Sequence, residues 1–363
     1  MQTGIPCLLM RGGTSRGPFF LEADLPADPA LRDQVLLAAM GSPDRRQIDG
    51  LGGAHPLTSK VGIVGRGKDA GVALDFLFAQ VVVEEAKVDT TPNCGNMLAA
   101  VVPFALETGL CEPQGDTTTL RVLTRNTGMQ CDVTVATPGG HVTYEGDARI
   151  DGVPGTGAPI TINFLETAGS ICSGLLPTGR VRDEIGGLTV TCIDNGMPMV
   201  LIRAHDLDRS GYEAVAELNT DAALKARVEA LRLLAGERMG LGDVALKTYP
   251  KMCLVAPPRD GGSIATRTFI PHVCHDAIGV LAAVTVATAC VLLGTVANEL
   301  ATVPGGTVKT VSVEHPSGEF SVELEVDPGD PQKVTRAALL RTARLLMRGE
   351  VFVPASIWKG GAR

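Results

Sequence analysis

The sequence predicts an α+β chain of two alike halves, each a mostly antiparallel sheet wrapped around one central helix. Two segments, 94–106 and 277–293, are apolar over several turns and lack a polar face, so each has to be buried on all sides. Cys94 starts the first and Cys274 precedes the second, and these cysteines lie 180 residues apart in a chain of 363. Short β-branched runs bounded by Gly, Pro, Asn and Asp surround both segments, which is the pattern of strands and tight turns. The length suits about two domains. The halves are placed at 1–180 and 181–363, with a junction near the Gly-, Ser-, Thr- and Pro-rich stretch 168–187 and a C-terminal tail free to cross back. Both helix starts would then point into one cleft.

In chain order, Ile5–Met10 reads as a strand and Phe19–Leu21 as its return, joined by Arg11-Gly-Gly-Thr-Ser-Arg-Gly17. Such a turn brings backbone N–H groups close to an anion. It lacks the GxxxxGK[ST] spacing of a nucleotide loop, and a plain hairpin needs no flanking arginines. Residues 29–40 form a helix on Leu31, Val35, Leu36 and Met40, followed by the turn Gly41-Ser-Pro-Asp44. The stretch 47–53 precedes Thr58-Ser-Lys60 and the strand 61–64; further strands at 74–79 and 80–83 lead to the helix after Asn93. Pro103 should kink or shorten that helix, and Thr108-Gly109 should end it. Strands are expected at 120–123, 130–135, 141–144 and 160–164, with a loop at 150–157.

The second half should carry strands at 188–193 and 199–202, an amphipathic helix at 219–235, and strands at 252–256 and 266–270. The run 277–293 approaches the length of a membrane span. It is Ala- and Val-rich, has no flanking Lys or Arg and stands alone, so it reads as a central helix. Strands at 308–314 and 319–326, a helix or strand near 331–335, a strand at 337–345 and a tail complete the chain.

A formal charge of −8 without a long basic block argues against nucleic acid. Nine scattered cysteines, an odd number with no CxxC pair, and no signal-peptide pattern fit a reduced cytoplasm.

Three features carry chemistry. A helix start offers free N–H groups and partial positive charge, binds carboxylates and favours the thiolate of a cysteine placed there. Cys94 has that position; a small buried cysteine in a helix cap is the plain alternative. Lys60 stands between a glycine-rich loop and an apolar strand, where burial is expected, whereas most lysines are solvated. His272-Val-Cys-His275 has few further ligands nearby and fits helix capping better than a metal. No GxSxG is present, which argues against a hydrolase.

Taken together, Met10-Arg-Gly-Gly-Thr-Ser-Arg-Gly17, Gly41-Ser-Pro-Asp44, Gln47-Ile-Asp-Gly50, Thr58-Ser-Lys60, Asn93-Cys-Gly-Asn96, Ile150-Asp-Gly-Val-Pro-Gly155 and Glu314-His-Pro-Ser-Gly318 resemble the PrpF family of isomerases, which share the diaminopimelate epimerase fold. The resemblance runs almost end to end. Asp194-Asn-Gly-Met-Pro198, Pro250-Lys-Met-Cys253 and Phe269-Ile-Pro-His272 are most similar to the members that isomerise 4-oxalomesaconate in gallate, syringate or protocatechuate 4,5-cleavage degradation. The resemblance implies that Lys60 and Cys94 are catalytic and that Ser15 and Arg267 contact substrate. It also implies no metal, no nucleotide and no pyridoxal phosphate. The residue reading adds Arg11, Gly13, Thr14, Ser59, Asn93, Gly95, Asn96, Asn195 and His275 as groups that hold a small tricarboxylate. A mechanism with one cysteine from each half is not expected, because His275 is as near to the second helix start as Cys274.

The expected reaction is a cofactor-independent proton shift, with Lys60 as base and Cys94 as partner acid or electrostatic aid. The alternative is a methylaconitate-type cis–trans isomerase or an epimerase of another tricarboxylate. A non-catalytic anion-binding protein would use the same groups without exchanging ligand protons. Neither nucleic acid nor membrane is expected as a partner, and a homodimer is compatible with the sequence.

Overall fold

The computed structural model describes residues 1–165 and 167–360, the side chains of 331 and 332 excepted. It divides into two compact units, residues 1–165 with 341–363, and residues 166–340. The first unit holds β1 (Gln2–Gly12), β2 (Ser15–Leu21), β3 (Lys60–Arg66), β4 (Leu74–Val81), β5 (Val88–Asp89), β6 (Thr117–Thr124), β7 (Met129–Ala136) and β8 (Ile160–Phe164). Its helices are α1 (Pro29–Met40), α2 (Gly95–Leu98) and α3 (Val101–Glu107). The second holds β9 (Asp183–Ile185), β10 (Leu188–Asp194), β11 (Pro198–Arg203), β12 (Lys251–Ala256), β13 (Ile264–Phe269), β14 (Val308–His315), β15 (Gly318–Asp327) and β16 (Asp330–Arg341). Its helices are α4 (Val215–Thr220), α5 (Ala222–Arg238) and α6 (Val280–Val291). The last strand, β17 (Ala343–Pro354), pairs antiparallel with β1 in the first unit.

The internal repeat is written in the strand pairing. The first unit runs β17-β1-β2-β3-β4-β6-β7-β8, with β5 on the edge of β4. The second runs β9-β10-β11-β12-β13-β14-β15-β16. In both, the successive pairings are antiparallel, antiparallel, parallel, antiparallel, parallel, antiparallel and antiparallel. A parallel step needs a crossover, and each unit supplies two. An outer helix (α1, or α4 with α5) makes the first crossover and a central helix (α2–α3, or α6) the second.

Packing follows from this order. In the first unit Val35, Leu36, Ala39 and Met40 of α1 form one core with Ile5, Phe20, Val61 and Ile63 on a sheet face. The central α2–α3 segment is buried from Met97 to Ala105, with the Phe104 ring 5.7 Å from that of Phe19. In the second unit α5 and α6 belong to separate apolar clusters, one with Val190, Val200 and Leu254, the other with Leu201, Cys253 and Val313. Strands covered on both faces carry unbroken apolar runs rather than alternation, as in Met252–Ala256 of β12. The whole is the α+β, sheet-around-helix architecture expected from the sequence.

Several details differ from the sequence reading. The units change over at 165/166 and 340/341 rather than at 180. Part of the stretch 168–182 is tied to β10: Gly169 N–H donates to the Asp194 carbonyl, and Asp194 N–H to that of Leu175. The helix after Cys94 does break as Pro103 led one to expect, loosening at Ala99–Ala100, one turn before the proline that cannot donate to the Ala99 carbonyl. No strand forms at 141–144; Thr143 and Tyr144 make only isolated backbone bonds, to Ala136 and Ala158. The helix expected at 219–235 is two helices, broken where Asp221 caps α5 by accepting from Leu224 N–H. The apolar run contracts to Val280–Val291, entered through Gly279. No helix among the described residues is long and apolar enough to cross a membrane.

Candidate active site

The β1–β2 turn organises the first unit's polar groups. Gly13 adopts φ +53°, and a Cβ there would lie 2.2 Å from Asn96 Oδ1; at Gly12 it would lie 2.3 Å from the Asn96 carbonyl oxygen. Only glycine lets the turn close onto the start of α2. Thr14 Oγ1 accepts from Asn96 Nδ2 at 2.9 Å, and Asn96 Oδ1 accepts from Arg341 Nε at 3.1 Å. At the turn's far end a Cβ on Gly17 would lie 1.7 Å from the Lys60 carbonyl oxygen. The Arg11–Gly17 segment therefore touches both Lys60 and the helix that Cys94 caps, and α2 itself packs on β3.

Lys60 opens β3 and is 9% exposed. Its Nζ donates to Gln80 Oε1 at 2.6 Å and stands 4.8 Å from the centre of the Phe78 ring. The Gln80 amide is held in one orientation, since Nε2 donates to the carbonyls of Pro56 and Ser59 at 3.1 and 3.0 Å. A fixed carbonyl oxygen and an aromatic face both stabilise an ammonium. Ser59 is fully buried and its hydroxyl donates to Gln47 Oε1 at 2.7 Å, so it shapes the 47–59 loop. Gln80 and Phe78 escaped the sequence reading; a lone glutamine ending the apolar run Phe76–Ala79 was the available signal.

Cys94 is the N-cap of α2, half-buried, with extended backbone (φ −134°, ψ 98°) and no side-chain capping bond. Its sulfur is thus uncommitted. Asn93 Nδ2 donates to Thr127 Oγ1 at 2.5 Å, while its Oδ1 is buried without a partner. Gly95 is the first residue of α2. Ser15 is 1% exposed and its Oγ likewise finds no partner. Arg11 Nη1 donates to the carbonyls of Gly13 and Thr342 and to Thr342 Oγ1. A cavity of about 710 Å³ opens beside the turn, lined by Arg11, Thr14, Ser15 and Arg16 among others, and by Arg344 of β17. Lys60 and Cys94 are not in its lining.

The remaining expected residues lie in the second unit, where other partners hold them. Asn195 is 5% exposed; its Oδ1 accepts from Thr167 Oγ1 and its Nδ2 donates to Thr288 Oγ1. Its amide is committed to the core, which argues against substrate contact. Arg267 donates to the carbonyls of Glu213 and Thr266. His275 is exposed, and its Nδ1 accepts from Ala277 N–H, as a cap would.

The repeat identifies two positions the sequence did not. Lys251 opens β12 as Lys60 opens β3. Its Nζ lies 3.5 Å from where a Cβ on Gly279 would stand, has no partner among the described residues, and burial pushes its pKa down. The N-cap that Cys94 provides for α2 is provided for α6 by Gly279, not by Cys274. The Cys274 thiol is buried, and burial pushes it up to about 11.

A family model described as PrpF protein matches residues 2–354. The (4E)-oxalomesaconate Delta-isomerase of Novosphingobium sp. (strain KA1) is 58% identical over 348 residues, 96% of this chain and 97% of that one. The 4-oxalomesaconate tautomerase of Pseudomonas putida (strain KT2440) is 54% identical over 359 residues, 99% of each. Among solved structures, a methylitaconate-delta-isomerase superposes with a TM-score of 0.85 at 35% identity, covering 100% of this chain and 98% of that one.

Proposed function

The chain belongs to the PrpF family, and from that premise we propose that it isomerises 4-oxalomesaconate by proton transfer without a cofactor. The observation that carries the reading is the Arg11–Gly17 turn, which joins Lys60 to the helix capped by Cys94. The relatives at 58% and 54% identity favour this substrate over methylitaconate, which names a relative at 35%. Nine free thiols suit a reducing cytoplasm, and aromatic-acid breakdown is the setting that the resemblance to 4-oxalomesaconate isomerases implies.

4-Oxalomesaconate is a tricarboxylate with a C–H flanked by a ketone and a C=C. Removal of that proton leaves an enolate spread over both groups. Protonation at the far carbon moves the double bond by one position; protonation on oxygen gives the enol. Either outcome conserves all atoms and needs no oxidant. The surroundings of Lys60 support a reading opposite to the roles expected from sequence. Gln80 Oε1 and the Phe78 face hold Lys60 Nζ as a donor, and in this reading Lys60 donates the proton. The sulfur of Cys94, which makes no capping bond, takes the first one. Backbone donors of the turn and of Gly95–Asn96 then meet the developing negative charge.

The test is a proton NMR time course of 4-oxalomesaconate in deuterated water with the wild-type protein, with methylitaconate and methylaconitate in parallel. The expected result is a moved double bond or enol, with deuterium incorporated, for oxalomesaconate fastest of the three. Binding without exchange would make the protein an anion binder; faster turnover of either rival would reassign the substrate.

A further inference from the structure

Arg11 lies opposite Arg344 across the β1–β17 pairing and opposite Arg16 across the β1–β2 pairing. Residues paired in this way share a sheet face, so three arginine side chains leave one face across three adjacent strands, with Arg16 Nη2 reaching toward Gly53. All three line the cavity of about 710 Å³ beside the turn. Its volume is in the range of small-molecule sites.

None of the three arginines forms an ion pair with a carboxylate among the described residues. Arg11 is braced through Nη1, against Gly13 and Thr342, and its Nε and Nη2 take no acceptor among the described residues. Arg16 Nε is buried without a partner among the described residues, and Arg344 is exposed, with no hydrogen bond or ion pair among them. Ser15, in the same lining, buries an unpaired hydroxyl. Glu145 is the one acidic side chain lining the cavity. Elsewhere the buried Arg232 is matched by Glu229 at 2.6 Å. Like charges directly opposite on a sheet destabilise it. Burial, then the charge of Arg344, also holds the Arg11 guanidinium below its ordinary pKa.

We propose that the Arg344–Arg11–Arg16 row is a carboxylate-binding wall, engaging the substrate carboxylates remote from the carbons that exchange protons, in the cavity beside the turn rather than at Lys60 and Cys94, which do not line it. This rests on the isomerase reading given above. It adds Arg16 and Arg344 to the site and gives β17 a binding role. Planar guanidinium forks suit carboxylates in pairs, which selects a tricarboxylate over a monocarboxylate. The turn continues from this wall directly to Gly17 and Lys60.

The experiment compares wild type, Arg344→Met and Arg344→Lys in two assays. In steady-state turnover of 4-oxalomesaconate, Arg344→Met should raise KM at least tenfold while kcat changes less than threefold, and Arg344→Lys should recover most of the loss. In thermal melts without anion, Arg344→Met should melt no lower than wild type, since a repulsion is removed. Its stabilisation by the unreactive tricarboxylate tricarballylate should shrink. An unchanged KM and an unchanged tricarballylate shift would overturn the proposal. So would a lowered melting temperature without anion, the mark of a structural arginine. If wild type fails to turn over oxalomesaconate yet tricarballylate still stabilises it through Arg344, the isomerase reading fails and the arginine wall stands.

Discussion

Asn195 joins Thr167 to Thr288 inside the second unit, while its backbone N–H donates to Thr285 Oγ1. Truncation leaves the buried Thr167 hydroxyl without its acceptor, a change that costs about 1–3 kcal/mol per orphaned group. Asn195→Ala is therefore expected to lower Tm by several degrees while KM for substrate stays within about threefold; a large rise in KM at unchanged Tm would return Asn195 to the binding site. Lys251 behaves in the opposite sense. Its folded pKa is lowered by burial, so the folded state disfavours the ammonium. The penalty is fully present below the lowered folded pKa and fades as pH rises toward the unfolded value of about 10.4. Lys251→Met should accordingly be more stable than wild type near neutrality, with the advantage vanishing above about pH 10.5. Denaturant melts across that range check it, and an advantage independent of pH would show that packing rather than charge decides. At this scale Lys60 and Cys94 stood out in the sequence because each sits at an element's start, Lys60 opening β3 and Cys94 capping α2. Gln80 and Arg344 did not, because their meaning depends on which strand lies beside them.

Strand contacts set what the turn can do. The β2–β3 step is parallel, and Gly17 sits where any Cβ would meet the Lys60 backbone. Gly17→Ala has to push the two strands apart, so a loss of at least ~3 kcal/mol is expected, together with loss of turnover, as for overpacking in a filled core. A near-native Tm with intact activity would mean that β2 and Lys60 are not held together in this way. Helix α1 was legible in full, since Asp28 caps it and Gly41 ends it in the left-handed region, both local signals. The strand expected at 141–144 had the right residues but no partner, and pairing is a non-local property. The break before Pro103 was legible because a missing N–H acts one turn away.

The whole molecule repeats one pattern of seven strand pairings, and the sequence betrayed it only through two apolar helices half a chain apart. The pairing order stayed hidden, since parallel steps join strands separated by whole helices. Least visible was β17, read as a tail, which supplies the strand beside β1 and one arginine of the row. The second unit keeps the lysine of the repeat, as Lys251, but has Gly279 at the N-cap position that Cys94 fills in the first. The central claim is that Cys94 takes the proton beside the ketone and Lys60 delivers one to the far carbon. Position-resolved deuterium incorporation into 4-oxalomesaconate by Lys60→Met and Cys94→Ser, each confirmed folded by circular dichroism, tests it directly. The account predicts that the Lys60 variant still exchanges the position beside the ketone but places no deuterium at the far carbon, with kcat down by roughly 10²–10⁴, whereas the Cys94 variant loses exchange beside the ketone. The opposite pattern would reverse the two roles, and normal exchange at both positions in both variants would contradict the site.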